Sequence, residues 1–169
     1  MTPGPDPRPL TGEPLALDLV NTTWVDDAGP HDLLDDAEQA RGWLGRWKLT
    51  GAAGPRDLEH LRSARAALRG VLEHPGDEDA RAALDAGRPG ERVEVPAPWR
   101  ASWLAARDLL HLLEHRPERI KPCANPDCVL WFADTTRSGT RRWCSMTGGC
   151  GSRLKARRHQ GRRRTGRSG

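Results

Sequence analysis

No stretch of this 169-residue chain approaches the roughly eighteen consecutive apolar residues of a membrane span, so no bilayer partner is expected. The opening MTPGPDPRPLTGEP is proline-rich and holds no apolar run of the kind an export signal needs, which leads us to expect a reducing, cytoplasmic setting. Neither a G-x-S-x-G elbow, a Walker A loop nor a G-x-G-x-x-G turn occurs, and an enzyme is therefore not expected. Hydrophobic residues make up 36% of the chain, enough for a modest core and no more. Lysine is scarce too, with three against twenty-four arginines.

What is present is unevenly placed. From Arg119 onward there are thirteen Lys or Arg against Asp127 and Asp134, a net charge of +11; the preceding residues carry −7. An arginine-rich composition alone would spread the charge evenly. A division of this size points to a basic module that meets a polyanion.

All four cysteines fall in the basic part, in CANPDCVLWFADTTRSGTRRWCSMTGGCGSRLKARRHQGRRR. Cys123 and Cys128 are separated by four residues, Cys144 and Cys150 by five, and the pairs by fifteen. Two close pairs at such a distance are the usual form of a four-thiolate zinc site, since each tight turn can present two sulfurs to one tetrahedral ion. Disulfides or unlinked thiols are the alternative, and they would need an oxidising compartment or simple burial. Between the pairs, Val129–Phe132 and Arg141–Cys144 read as two strands of a hairpin around the turn at 135–140. After Cys150, Ser152 is a reasonable N-cap for a basic helix over 152–160. Zinc loss is expected to unfold this module and leave the rest cooperative.

These residues resemble the CGNR zinc finger. The resemblance is carried by Cys123, Cys128, Phe132, Asp134, the run Arg141–Met146, and Cys150-Gly151-Ser152-Arg153 followed by Lys155-Ala156. Ser152 stands where that pattern has asparagine, and Gly148-Gly149 lengthens the last metal turn by one glycine. In that family the finger follows a domain called ABATE, and the proteins are regarded as stress-related transcription regulators. The segment from Glu13 to Trp24 resembles the opening of the ABATE domain. Periodicity fits both a strand and a helix started by Pro14, and the resemblance favours the helix. It also suggests a small-molecule pocket near Asp18, Asn21 and Trp24. Alternatively, Asn21 turns the backbone and Trp24 fills core.

Further along, a helix is predicted from Asp32 to Trp47 on the stripe Leu33, Leu34, Ala37, Ala40, Trp43, Leu44 and Trp47. Pro55 starts a second, with Leu58, Leu61, Ala64, Leu68, Val71 and Leu72 inward and Arg62, Arg65 and Arg69 outward. A shorter helix covers 77–86, a brief strand 92–95, and a last helix Trp99–His115 buries Trp103, Leu104, Ala106, Leu109, Leu110 and Leu113. The fold class is mainly α. We expect a disordered start (1–12), a helical domain (13–118), a zinc-bound β-hairpin with basic helix (119–164) and a disordered tail (165–169). The joint at Arg119–Pro122 is short, so the module should pack on the helices.

His111-Leu-Leu-Glu114-His115 matches the inverted zinc-protease signature H-x-x-E-H, but it sits at a helix end before Pro117, where the helix dipole favours histidine without any metal. His159 follows the fourth cysteine, which already completes a tetrahedron. The function expected is a DNA-binding transcription regulator. Arg141, Arg142, Arg153, Lys155, Arg157, Arg158, Arg162, Arg163 and Arg164 would contact mainly phosphates. RNA binding, in which an exposed Trp131 would stack on unpaired bases, and a zinc-scaffolded protein-interaction module are the alternatives.

Overall fold

A computed structural model describes residues 6–49, 53–85, 97–145 and 149–152. The expected strand at 92–95 and the tail at 165–169 lie outside them. At the centre is a short helix, α1 (Leu15–Val20), all of whose residues are buried. A helix buried on every side, here with one carboxylate at Asp18, is stable only when wrapped by other elements. Here α3 (Pro55–Glu73), α5 (Ala97–His115) and the C-terminal module do the wrapping. The first turn of α1 is tied to α5, because Ala16 N–H donates to the Asp108 carboxylate at 2.8 Å. A carboxylate there also complements the positive end of the helix.

Residues 6–12, expected to be disordered, are held in place. Arg8 is 5% exposed, and its Nη1 donates to the Asp18 carbonyl at 2.9 Å and to its carboxylate at 3.1 Å, while Asp6 binds the same guanidinium.

After α1 the chain makes a hairpin that the sequence reading did not include: β1 (Thr23–Asp26) antiparallel to β2 (Gly29–Asp32). Gly29 takes φ +119°, outside the range side chains tolerate, and Asp26 closes the turn by accepting from Ala28 N–H at 2.8 Å. The predicted helix over Asp32–Trp47 is accordingly divided. Asp32 ends β2 and caps a 3-10 turn at Leu33–Asp35; Asp36 then caps α2 (Ala37–Arg46), accepting from Glu38 N–H at 2.7 Å. Two competing N-caps four residues apart break one periodic stripe into two pieces.

In α3, Leu58, Leu61, Leu68, Val71 and Leu72 are buried as expected. Its arginines are not simply outward. Arg65 forms a paired bridge to Asp32, both bonds 2.6 Å, and Arg69 donates to Val20 O and Thr23 Oγ1, both at 3.1 Å. Arg62 donates to Leu34 O at 2.6 Å. Helical periodicity separates faces, and these residues flank the buried stripe closely enough to reach the hairpin's polar groups. A short α4 (Glu78–Asp85) follows. On α5 the fully buried stripe is Ala101, Ala105, Ala106 and Leu109, while Trp103, Leu104, Leu110 and Leu113 are only partly covered. Small side chains let α5 approach α1 and α3 closely, leaving the larger ones to its flanks.

The strand pairing of the C-terminal module also differs from expectation. Its strands are β3 (Ile120–Pro122) and β4 (Trp131–Ala133), antiparallel, with Lys121 opposite Phe132. Residues 141–144 are not a strand. The joint expected to be a linker is thus half of the hairpin. Leu130, Trp131 and Phe132 lie in the same hydrophobic core as α1 and α5, at 2%, 9% and 0% exposure. The module packs on the helices, as its short connection suggested.

Candidate metal centre

The stability of the hairpin beneath the cysteines rests on Asp134. This residue is 2% exposed, and its carboxylate accepts from Lys121 Nζ at 2.8 Å, from Thr136 N–H and from Arg141 N–H, both at 3.0 Å. These bonds fold the 135–141 loop over one buried charge. They hold the Asp134 carboxyl well below the ordinary carboxylate range, with the Lys121 bond the strongest cause.

The two cysteine pairs come from different structures. Cys123 follows β3 directly and donates its N–H to Leu130 O at 2.9 Å, so the ladder itself places it. Cys128 is placed by a tight turn, its N–H donating to Asn125 O at 2.9 Å. Ala124 N–H donates to Arg142 O at 2.8 Å and brings the second pair alongside. Cys144 sits just after, and Arg141 reaches over to donate to the carbonyls of Trp143 (2.9 Å) and Cys144. Residues 150–152 are helical, so Cys150 opens that helix; Ser152, expected as its cap, lies inside the first turn with its hydroxyl donating to Gly149 O at 2.9 Å. Gly149 has a steric reason to lack a side chain, since a Cβ there would lie 2.5 Å from that of Ser145.

The four Sγ atoms all lie within 4.8 Å of one another. A tetrahedral ion with metal–sulfur bonds of about 2.3 Å places its sulfurs about 3.8 Å apart. Cys128 and Cys144 Sγ are 3.9 Å apart, close to that value. All four cysteines are free, and the arrangement suits one shared ion better than two disulfides. Cys123, Cys144 and Cys150 are buried, and Asn125 Nδ2 donates to Cys150 Sγ at 3.3 Å, the kind of bond that stabilises a thiolate ligand. Asn125 was not singled out from the sequence, although an asparagine inside a cysteine turn is a common source of such local bonds.

Brought this close, four thiols cannot all ionise unaided. The Cys128 and Cys144 thiols, in that order, lower the pKa of the Cys123 thiol beside them. The same contacts push Cys128 up to about 12 and push Cys144 up as well, because each is held as the protonated donor toward Cys123. A divalent cation removes this conflict by supplying the positive charge the sulfurs lack, so binding releases protons. With all four cysteines as ligands, a tetrahedral ion would have no open position for a water. Among the described residues this is the cluster suited to a metal. At the H-x-x-E-H segment, His115 Nδ1 lies 2.9 Å from His111 O, the contact of a helix end.

Asp18 accepts from Trp43 Nε1 and Trp47 Nε1, each at 2.8 Å, as well as from Arg8. Asn21 is fully buried and bonds both main-chain groups of Trp131. Trp24 stacks on His31 at 4.8 Å and, with His31, Arg69 and Val129, lines an open concavity of about 570 Å³ to which Asp18 and Asn21 do not contribute. Asp18 and Asn21 thus spend their polar groups on internal partners, while Trp24 faces this concavity. Arg141 is turned inward over the Phe132 ring at 4.3 Å, whereas Arg142 is exposed beside Trp143. Arg153, Lys155, Arg157, Arg158, Arg162, Arg163 and Arg164 lie outside the described residues.

One consequence for stability concerns Asp32. Burial alone would raise its pKa, but the Arg65 pair, the Leu34 N–H and the charges of Arg65 and Arg62 hold it below the ordinary carboxylate value. A lowered folded pKa stabilises the fold above the unfolded value of about 3.9 and loses that contribution as pH falls through the folded one. Urea unfolding of wild type and Asp32→Asn between pH 6 and pH 3 should show the wild-type advantage shrinking below about pH 4. Acid loss of metal acts on both proteins alike. A constant difference across the range would remove the Asp32 charge from the account.

Comparison with known families agrees with this geometry. A search of curated proteins finds no match. The family model for the CGNR zinc finger matches residues 119–163, and the model for ABATE, described as "Putative stress-induced transcription regulator", matches residues 13–125. The two matches overlap across β3 and Cys123, where the hairpin and the helical core meet. The chain thus belongs to the ABATE family and carries a CGNR zinc finger whose four cysteines are gathered around a single metal-sized space.

Proposed function

We propose that the chain is a non-catalytic DNA-binding regulator whose finger is held by one zinc ion on Cys123, Cys128, Cys144 and Cys150. The observation that carries the DNA reading is the juxtaposition of the four-thiol cluster with the most basic part of the sequence. A net +11 from Arg119 onward faces −7 before it, and the cluster leads straight into Arg153-Leu-Lys-Ala-Arg-Arg. On the finger itself Arg137 and Arg142 are exposed and free to meet phosphates, in contrast to Arg141. Trp131, the residue that single-strand stacking would use, is 9% exposed and belongs to the core, which favours a duplex over unpaired RNA. No helix among the described residues is long and apolar enough to cross a membrane. Sensing of a small molecule by the helical part would fall to the concavity at Trp24 and His31, since Asp18 and Asn21 already have internal partners.

The test is a salt titration of binding to duplex DNA and to RNA of matched length. If roughly six basic residues neutralise phosphates, log affinity for DNA falls with log salt with a slope of about −5. Changing Arg162, Arg163 and Arg164 together to alanine should flatten that slope by up to about three and weaken all sequences alike. Tighter binding to RNA would move the reading to RNA. Binding of neither polymer would leave the protein-interaction reading.

A further inference from the structure

Among the described residues, no strand lies beside the outer edge of β4. Its inner edge pairs with β3, through Cys123 N–H to Leu130 O at 2.9 Å and Asp134 N–H to Arg119 O at 2.7 Å. Alternate residues must then point their main-chain groups the other way. Each of these residues offers at least one such group to a side chain from the helical part. Val129 O accepts from Arg69 Nη1 of α3 at 3.2 Å. Trp131 donates its N–H to Asn21 Oδ1 at 2.9 Å and accepts from Asn21 Nδ2 at 2.7 Å. Ala133 N–H donates to Glu13 Oε2 at 2.7 Å. Residues 129, 131 and 133 follow the two-residue period of a strand edge, and three side chains from separate parts of the chain imitate the missing neighbour.

We propose that Asn21, with Glu13 and Arg69, acts as a surrogate strand that fixes β4 in the register its cysteines need, so that metal affinity is set partly by the helical domain. The path to the metal is short. Cys128 immediately precedes Val129, and Cys123 bonds Leu130 across the ladder. Asn21 is the centre of the arrangement because its amide matches a peptide group, one donor and one acceptor on the same residue. It is fully buried, so water cannot replace it. Coupling of this kind is reciprocal: whatever the helical domain contributes to metal binding, the metal returns to the stability of the helical domain. Asn21 and Glu13 are thus positioning residues for the centre. The inference rests on the metal reading given above.

The experiment uses the full chain and measures zinc affinity by competition with a chromophoric chelator, alongside thermal unfolding of the helical signal with and without zinc. Asn21→Leu keeps the volume and loses both bonds. Zinc affinity should fall about tenfold, the low end of the range for groups that orient metal ligands, because Asn21 holds the strand and not a sulfur. The rise in melting temperature on adding zinc should shrink in the same variant. Glu13→Ala, which removes one edge bond where Asn21→Leu removes two, should give a weaker effect of the same sign, and it serves if Asn21→Leu does not fold. Leu61→Ala, nearer the other end of α3 from Arg69, destabilises the helices without touching the strand edge. It should bind zinc as wild type does at temperatures where it is folded. Unchanged zinc affinity in folded Asn21→Leu or Glu13→Ala, or an equal loss in Leu61→Ala, would overturn the inference alone. Absence of zinc binding in every protein would overturn the metal reading and the inference with it.

Discussion

Replacing Cys144 with serine is expected to lower the stability of the entire folded chain by enough to shift its melting temperature about 10 °C or more. The first part of the reason is the metal. A structural zinc site contributes about 10–16 kcal/mol in isolated fingers, comparable with the whole stability of an ordinary domain. The second part is the shared core. Leu130, Trp131 and Phe132 are buried with α1 and α5, and each large apolar side chain withdrawn from that core costs about 1.5–3 kcal/mol. Losing even two of them is worth about 4 kcal/mol, or about 10 °C for a chain of this size. From its sequence the finger is expected to be an appendage whose loss leaves the helices cooperative. Its strand is instead part of their core, so the helical signal should melt earlier in the variant. Circular dichroism of the full chain measures this; a finger that loses metal while the helical transition stays where it was would restore the appendage view.

The second large effect is expected at Phe132, which is fully buried where finger and helices meet. Phe132→Ala should cost about 3–5 kcal/mol, since the surrounding helices can collapse only partly into the space. Arg141 also loses the ring beneath its guanidinium, worth about 0.5–2 kcal/mol, and with it part of what holds the Trp143 and Cys144 carbonyls in place. Urea unfolding with zinc in excess should show the loss, and Phe132→Leu should restore much of it. A cost below about 1 kcal/mol for the alanine variant would mean that the interface is far looser than described.

How far the sequence foretold these features depends on the range of the interaction. The cysteine pairs and the stripe of α3 are local patterns, set by turn geometry and helical period, and they read correctly. The hairpin at Thr23–Asp32 has short strands with few apolar positions, and its signal lies in the Asp-Asp-Ala-Gly turn, which the helical pattern beginning at Leu33 overshadows. Strand pairing in the finger is less local still. Reading two strands around the 135–140 turn is natural, but Asp134 draws that loop into a buried charge cluster and leaves β4 to pair with the segment before Cys123. Arg65, Arg69 and Arg141 look like surface charges because composition cannot reveal a carboxylate or carbonyl that arrives from elsewhere in the fold. Asn21 is the extreme case. Its residue type is informative, but its partner lies 110 positions away, and no local rule connects the two.

The most direct measurement of the central claim is the metal content of the full chain purified without chelator, read together with the reactivity of its thiols. The account predicts one zinc per chain, with all four cysteines protected from a thiol reagent until the metal is removed. A chain that is folded, holds no metal and offers its four thiols freely would contradict it.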